Sequence, residues 1–331
     1  MIVASLTLFL APALARAQDA PAVSAPAPEA EEEETSLFRS EEDGWFDVGG
    51  FLDTQFGFLP IAVPITEPAV GYGLAGGVAF LSRSLGDARA GYGRPNVTFV
   101  GGLATENGTD GLMAGDLRYW NDDRLQTLIA VADMSVNLDF FGVGADAALD
   151  GHHLKYNLEP TGGFAQAKLR MGDSRAWVGM SYGLAATEVD FEKPAGTPGL
   201  PPARGDSTEA GLTPSLSFDS RDNMFTPLRG TYLEGSYGLF GEALGGDNEF
   251  QRARLIALHY LELDPDLTLG LRGEASAIFG DAPFSLSPYI ALRGAPAMRY
   301  QGEETALIES ELRWQFWNRW SAIGFAGTGS A

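Results

Sequence analysis

The chain alternates between apolar and polar residues at period two, over and over. In 306–316, Ile308, Leu312, Trp314 and Phe316 fall on one face and Glu309, Glu311, Arg313 and Gln315 on the other. In 267–276, Leu267, Leu269 and Leu271 oppose Thr268, Arg272, Glu274 and Ser276. Segments 212–221 and 176–190 repeat the pattern; Leu212, Leu216 and Phe218 oppose Thr213, Ser215, Ser217, Asp219 and Arg221, and Val178, Met180, Tyr182 and Leu184 oppose a row of small residues. Side chains on a strand point to alternate faces, so each segment reads as a strand with one apolar face. Alternation alone does not separate a soluble β-sandwich, whose apolar face points inward, from a transmembrane barrel, whose apolar face meets lipid.

Three features favour the barrel. The alternating segments run to roughly 10 residues or more, the length a tilted spanning strand needs. Aromatics gather at strand ends, as membrane girdles do: Tyr119–Trp120, Phe140–Phe141, and Trp314, Phe316, Trp317 and Trp320. Short connections (121–123, 264–266, 318–319) alternate with long ones (191–209, 281–302). Strands are expected near 70–83, 95–106, 111–120, 124–137, 153–171, 174–190, 210–221, 229–243, 250–264, 267–280, 303–317 and 319–330, with another in 45–60. That is an all-β antiparallel sheet of about twelve or thirteen strands. A closed barrel needs its last strand to pair with its first, so a chain ending Gly-Thr-Gly-Ser-Ala is expected to lack about three or four closing strands.

Composition narrows the function. There are 44 acidic and 22 basic residues, a net charge of −22, which argues against nucleic acid as a partner. No cysteine is present, which excludes disulfides, thiol catalysis and cysteine–zinc sites. Residues 1–17 read as a secretory signal: a short apolar run ends at Ala15-Arg16-Ala17, although no basic residue precedes it. Residues 18–44 read as an acidic Pro/Ala linker with Glu31 to Glu34 in a row, too polar to fold, and the barrel is expected over 45–331.

Several motifs match enzyme or cofactor patterns without their context. GYGLAGG (71–77) fits a dinucleotide loop, but the residues after it do not open a helix. GMSYG (179–183) fits a nucleophile elbow around Ser181, but it lies inside an alternating strand, and His152, His153 and His259 are the only available bases. His152-His153 has no third ligand at metal spacing. Glu309 and Glu311 lie about 7 Å apart on one strand face. Such a pair could act on glycosides, but Arg293, Arg299 and Arg313 nearby favour lumenal ion pairs instead. The expectation is therefore no enzyme, no cofactor and no metal.

FDSRDNMFTPLRGTYLEG (218–235) and LRGAPAMRYQGEETALIESELRW (292–314) are more distinctive. The first resembles a D-x-R-D-N-x-x-x-P-x-x-G hairpin through Asp219, Arg221, Asp222, Asn223, Pro227 and Gly230. The second resembles an inner loop with an aliphatic-Arg-Gly signature at Leu292, Arg293 and Gly294, then a strand bearing Glu311-Leu312. GFAGTG (324–329) resembles an F-x-D-x-G strand through Phe325 and Gly329, and PIAVPITEPAVGYGLAGGVAFL resembles a first strand. All are features of the BamA/TamA superfamily of outer-membrane proteins, the bacterial surface antigen family, and together the resemblance covers about 45–331.

That resemblance implies a barrel of about sixteen strands in the outer membrane of a Gram-negative bacterium, with an inner loop whose arginine is held by acids on the lumen wall. Ala295 stands where the family has an aromatic residue and Gly327 where it has aspartate, so Glu311, with Glu309, is expected to hold Arg293. Only 18–44 precede the barrel, which resembles short members without polypeptide-transport-associated domains; no patatin-type lipase domain is present either. The implied function is assistance in inserting or translocating protein or lipid, with outer-membrane lipids and unfolded outer-membrane or secreted proteins as partners and the oligomeric state open. The alternatives are a passive, cation-preferring pore, suggested by the acidic excess, and an outer-membrane lipase or esterase using Ser181.

Overall fold

The computed structural model describes residues 57–82, 96–144, 153–192, 204–223, 226–317 and 320–331. The signal segment, the acidic linker, the first part of the expected 45–60 strand and His152 lie outside them. Thirteen strands follow one another in an antiparallel meander: β1 (Gly57–Glu67), β2 (Gly71–Leu81), β3 (Val97–Thr105), β4 (Asp110–Trp120), β5 (Leu125–Phe140), β6 (Leu154–Arg170), β7 (Ala176–Phe191), β8 (Arg204–Asp219), β9 (Gly230–Phe240), β10 (Phe250–Asp264), β11 (Leu267–Gly280), β12 (Glu304–Trp317) and β13 (Trp320–Ser330). Each pairs with its neighbours in sequence, and among the described residues β1 and β13 are the two ends of the sheet.

The sheet has one outward and one inward face, set by period two. On β12 the outward row is Ile308, Leu312, Trp314 and Phe316, all exposed, while Glu309 is buried and Glu311 and Arg313 are partly buried on the inward face. The register carries this phase across to β11, where Arg272 lies opposite Glu309. Inward pairs span non-adjacent strands: Lys168 on β6 meets Glu234 on β9, whose carboxylate also accepts from Tyr232 at 2.8 Å. Contacts between strands three apart require strong curvature, so the polar face lines a lumen.

Two expectations about strands need correction. β1 runs from 57 to 67, overlapping the expected 45–60 at 57–60 and continuing past it, and contains Pro60 and Pro64. Proline cannot donate to a ladder and is confined to edges and ends. Both prolines share one phase along the strand, and β1 is at the end of the described sheet, which lets both ring nitrogens avoid β2. β8 starts at Arg204 rather than 210, and β5 to β8 reach 16 or 17 residues, longer than spanning requires.

The extra length has a physical reason. On β5 the apolar row switches faces: Ile129 and Val131 are exposed outward, but beyond them Met134, Val136 and Leu138 are buried inward while Asp133 faces out. A strand that leaves lipid meets water on its outside, so its apolar face turns in. Met134, Val136, Leu138, Tyr156, Leu158 and Met298 form a buried core inside this end of the barrel. Phe140 belongs to it, ringed by Tyr156 and Phe191, and Phe141 lies under Arg299 at 5.3 Å. The pair is therefore part of an inner cap, correcting its reading as a membrane girdle; Tyr119 is likewise buried while its neighbour Trp120 is exposed.

The turns also correct the expected rhythm. The end of the barrel bearing 121–124, 171–175 and 265–266 also carries the ten-residue hairpin 220–229, and the opposite end has short turns at 68–70 and 106–109 beside its long connections. Asn121, Asp122 and Asp123 all have positive φ, a conformation that Asn and Asp tolerate best among non-glycine residues.

Candidate functional site: the inner loop and its wall

The connection from β11 to β12, residues 281–303, folds into the lumen and touches walls on both sides. At its start, Phe284 packs against Phe140 (ring centroids 4.9 Å apart), Tyr156 (5.5 Å) and Phe191 (5.5 Å). In its middle, the Ala297 N–H donates to Glu67 Oε1 at 3.1 Å, tying the loop to the β1–β2 turn. Near its end, Gln301 bridges to Val143 and to Tyr289, and its side chain donates to the Phe284 carbonyl at 2.9 Å. The loop thus crosses from β11–β12 to the walls of β5, β6 and β7, with its own Ile290 and Met298 buried.

The segment Leu292–Gly294 lies against β12 and β13. Arg293 Nε is 3.4 Å from Glu309 Oε1, its Nη2 donates to Glu311 Oε2, and its guanidinium lies 4.8 Å from the Phe325 ring centroid. The Glu309 side chain is 5% exposed, Glu311 27% and Arg293 44%, so the guanidinium lies between a nearly dry carboxylate and a wetter one. The β12–β13 register places Glu309 opposite Gly327 and Glu311 opposite Phe325, so one patch of wall holds all four. A Cβ on Gly327 would come within 2.8 Å of Leu292 Cδ2; the aliphatic residue of the loop occupies the space a side chain at 327 would take. Gly294 has φ +82 with open space around its Cα, so glycine there answers to backbone conformation, not crowding.

Arg272 adds a hold that the sequence reading did not single out: its Nη1 donates to the Ala291 carbonyl at 3.1 Å while Nη2 pairs with Glu274 at 3.0 Å. Phe284, Glu67 and Gln301 were missed as well. The apolar character of 284 offered a weak sign; nothing local marks Glu67, whose partner lies 230 positions away.

The hairpin residues form a second cluster on the lumen side. Arg221 makes a two-pronged bond to Asp219, with Nε–Oδ1 and Nη2–Oδ2 both 2.9 Å, and lies 4.7 Å from the Tyr232 ring. Asp222 Oδ1 accepts from the backbone N–H groups of Asn223 (2.9 Å), Leu228 (3.1 Å) and Arg229 (3.3 Å), and Asn223 Oδ1 accepts from Thr226 N (3.2 Å). Gly230 has φ +109, and a Cβ there would sit 2.4 Å from the Ser220 carbonyl oxygen. The Pro227 carbonyl accepts from Arg313 Nη2 of β12 at 3.1 Å, so the wall strand that holds the loop also holds the hairpin.

The other motif residues lie apart from this site. Ser181 is in mid-strand on β7, its hydroxyl 3.4 Å from the Thr213 carbonyl oxygen. His259 pairs with Thr231 Oγ1 at 2.8 Å in the outward row of β10, and His153 lies 3.6 Å from Asp139. GYGLAGG lies within β2, with no helix following. Among the described residues no group of His, Cys, Asp and Glu is arranged to hold a metal.

Comparison with known proteins fits this architecture. Residues 150–290, from before β6 into the inner loop, match the Omp85 superfamily domain. No curated protein matches the chain in sequence. Among solved structures the chain resembles the crystal structure of BamA from Haemophilus ducreyi lacking POTRA domains 1-3, at TM-score 0.53 and 12% identity, over 89% of this chain and 68% of that one. At that identity the likeness is one of fold. Over 150–290 the chain is thus similar to the Omp85 superfamily domain, and its fold is similar to that of a BamA-type β-barrel.

Proposed function

We propose that the protein is an integral barrel of the Gram-negative outer membrane, exported by its N-terminal signal, that assists insertion or translocation of protein or lipid there. The observation that carries this reading is the inner loop, which crosses the lumen and is fastened on both sides through Phe284, Ala297 and Arg293. A barrel filled this way offers its wall, rather than an open bore, as its working surface. Its partners on this reading are membrane lipids and unfolded outer-membrane or secreted proteins.

The passive-pore reading draws on the net charge of −22. Cation preference needs carboxylates free along the bore. Five inward carboxylates instead face cations: Asp219 with Arg221, Glu234 with Lys168, Glu274 with Arg272, and Glu309 and Glu311 with Arg293; Glu209 and Glu67 accept from neutral donors. The esterase reading has little support, since Ser181 faces inward and His259 outward.

The test is reconstitution of the full chain into phospholipid vesicles, followed by addition of a urea-unfolded outer-membrane protein. Faster appearance of its folded, heat-modifiable form than with empty vesicles supports insertion activity. Equal rates with and without the protein refute assistance of protein insertion.

A further inference from the structure

The outer wall carries a charged cluster where its surroundings are apolar. The registers β3–β4 and β4–β5 place Thr98, Asp116 and Arg118 in the outward rows. Val100, Leu112, Ala114, Trp120, Ile129 and Val131 surround them on the same face. Arg118 Nε is 2.8 Å from Asp116 Oδ2, its Nη2 is 2.8 Å from Asp116 Oδ1 and 3.1 Å from Thr98 Oγ1, and the Thr98 hydroxyl donates to Asp116. An ionised pair facing hydrocarbon is costly, and such groups in membrane-spanning segments mark function more often than packing.

Two features indicate what completes the cluster. First, the guanidinium is incompletely used. Nε and Nη2 bond to Asp116 and Thr98, whereas both Nη1 N–H groups lack an acceptor among the described residues. The side chains of Arg118 and Asp116 are 38% and 37% exposed, so those donors are open to the surroundings. Second, the depth is right for a headgroup. Arg118 is two residues from Trp120, 50% exposed at the turn-121–124 end of β4. Two strand residues at the usual tilt are about 5 Å of depth, within reach of an arginine that extends its charge toward the interface. The anion present at that level is the phosphate of a phospholipid. A guanidinium N–H makes a charge-assisted hydrogen bond to a phosphate oxygen, and Nη1 is the donor left for it.

We propose that Arg118, oriented by Asp116 and Thr98, binds the phosphate of a phospholipid headgroup on the outer wall of β3–β4. Asp116 fixes the plane of the guanidinium by taking Nε and Nη2, which leaves Nη1 directed at lipid. The site is separate from the inner loop and does not depend on the insertion activity.

The experiment is lipid binding to the folded full chain in detergent micelles, read by native mass spectrometry, with phosphatidylglycerol compared with a diacylglycerol of the same acyl chains. The wild type is expected to prefer the phosphorylated lipid by about tenfold, the scale of one charge-assisted hydrogen-bonded contact. Arg118→Gln is expected to abolish the preference, and Arg118→Lys, which keeps charge but loses the fork, to reduce it. Asp116→Asn keeps an acceptor oxygen to orient the guanidinium, with Thr98 unchanged, and removes the competing negative charge, so it is expected to keep or strengthen the preference. Heat-modifiable mobility confirms that each variant is folded, and if Arg118→Gln fails to fold, Arg118→Lys and Asp116→Asn carry the test. No preference in the wild type, an unchanged preference in Arg118→Gln or Arg118→Lys, or its loss in Asp116→Asn would overturn the proposal. So would a cluster-dependent dimer that forms irrespective of lipid, which would make a second copy the occupant.

Discussion

Replacing Arg293 by Met keeps much of the side chain's bulk and removes its charge. Glu309, 5% exposed, then loses its cation, and Glu311, 27% exposed, loses a second contact. Stranding a fully buried partner costs about 3–5 kcal/mol. Arg293 is 44% exposed, so water can reach the vacated site and the figure falls to about 2 kcal/mol. Loss of the stacking on Phe325 adds about 0.5–1 kcal/mol. The total, about 2.5–3 kcal/mol, raises the opening constant of the loop roughly 70- to 160-fold. Hydrogen exchange on backbone amides of 290–302 should register it, with the strands of β6 and β7 unchanged. Glu309→Gln should weaken the same contact by about 1 kcal/mol, and the double variant should fall short of the summed effects by a similar amount, because both remove one interaction. Strict additivity, or unaltered exchange in Arg293→Met, would refute the ion-paired lock.

Further outcomes follow from the same structure. In planar bilayers the full chain should be closed most of the time, since the loop crosses the bore; a stable, cation-selective open state would favour the pore. Phe284→Ala removes the ring that meets Phe140, Tyr156 and Phe191, and should speed protease cleavage within 281–303 while the barrel stays folded. Gly230→Ala places a Cβ 2.4 Å from a carbonyl oxygen at φ +109, and should lower stability by about 2 kcal/mol or more in a urea titration of the refolded barrel.

How much of this was legible in the sequence differs between elements. β12 was readable because one face meets lipid along its whole length, which keeps the alternation of Ile308, Leu312, Trp314 and Phe316 unbroken. β1 runs past the expected end at 60 through Pro64 to Glu67, which is possible because it lies at the end of the described sheet. Phe140 was assigned to a girdle because its row changes meaning beyond Val131, where the outside becomes water; period two fixes the phase of a strand but not where the membrane ends. At the site, Arg293 and Glu311 are 18 positions apart, joined by one loop and one strand, so their proximity could be argued locally. Glu67 and Phe140 reach the same loop only through the curvature of the sheet, and no nearby residue announces them. The Thr98–Asp116–Arg118 cluster was passed over because an Asp-x-Arg pair in a strand reads as an ordinary polar face until the register shows which way it points.

The central structural claim is that the aliphatic-Arg-Gly segment is seated on the inner wall at β13. The chain has no cysteine, so the pair Leu292→Cys and Gly327→Cys would report on this contact alone. Leu292 Cδ2 already lies 2.8 Å from where a Cβ at 327 would stand, and the smaller cysteine leaves room for the new side chain. Mild oxidation of the folded, membrane-embedded protein should link the two positions, seen as a mobility shift reversed by reductant. If both thiols instead stay free to alkylation in the folded barrel, the loop is not where this account places it.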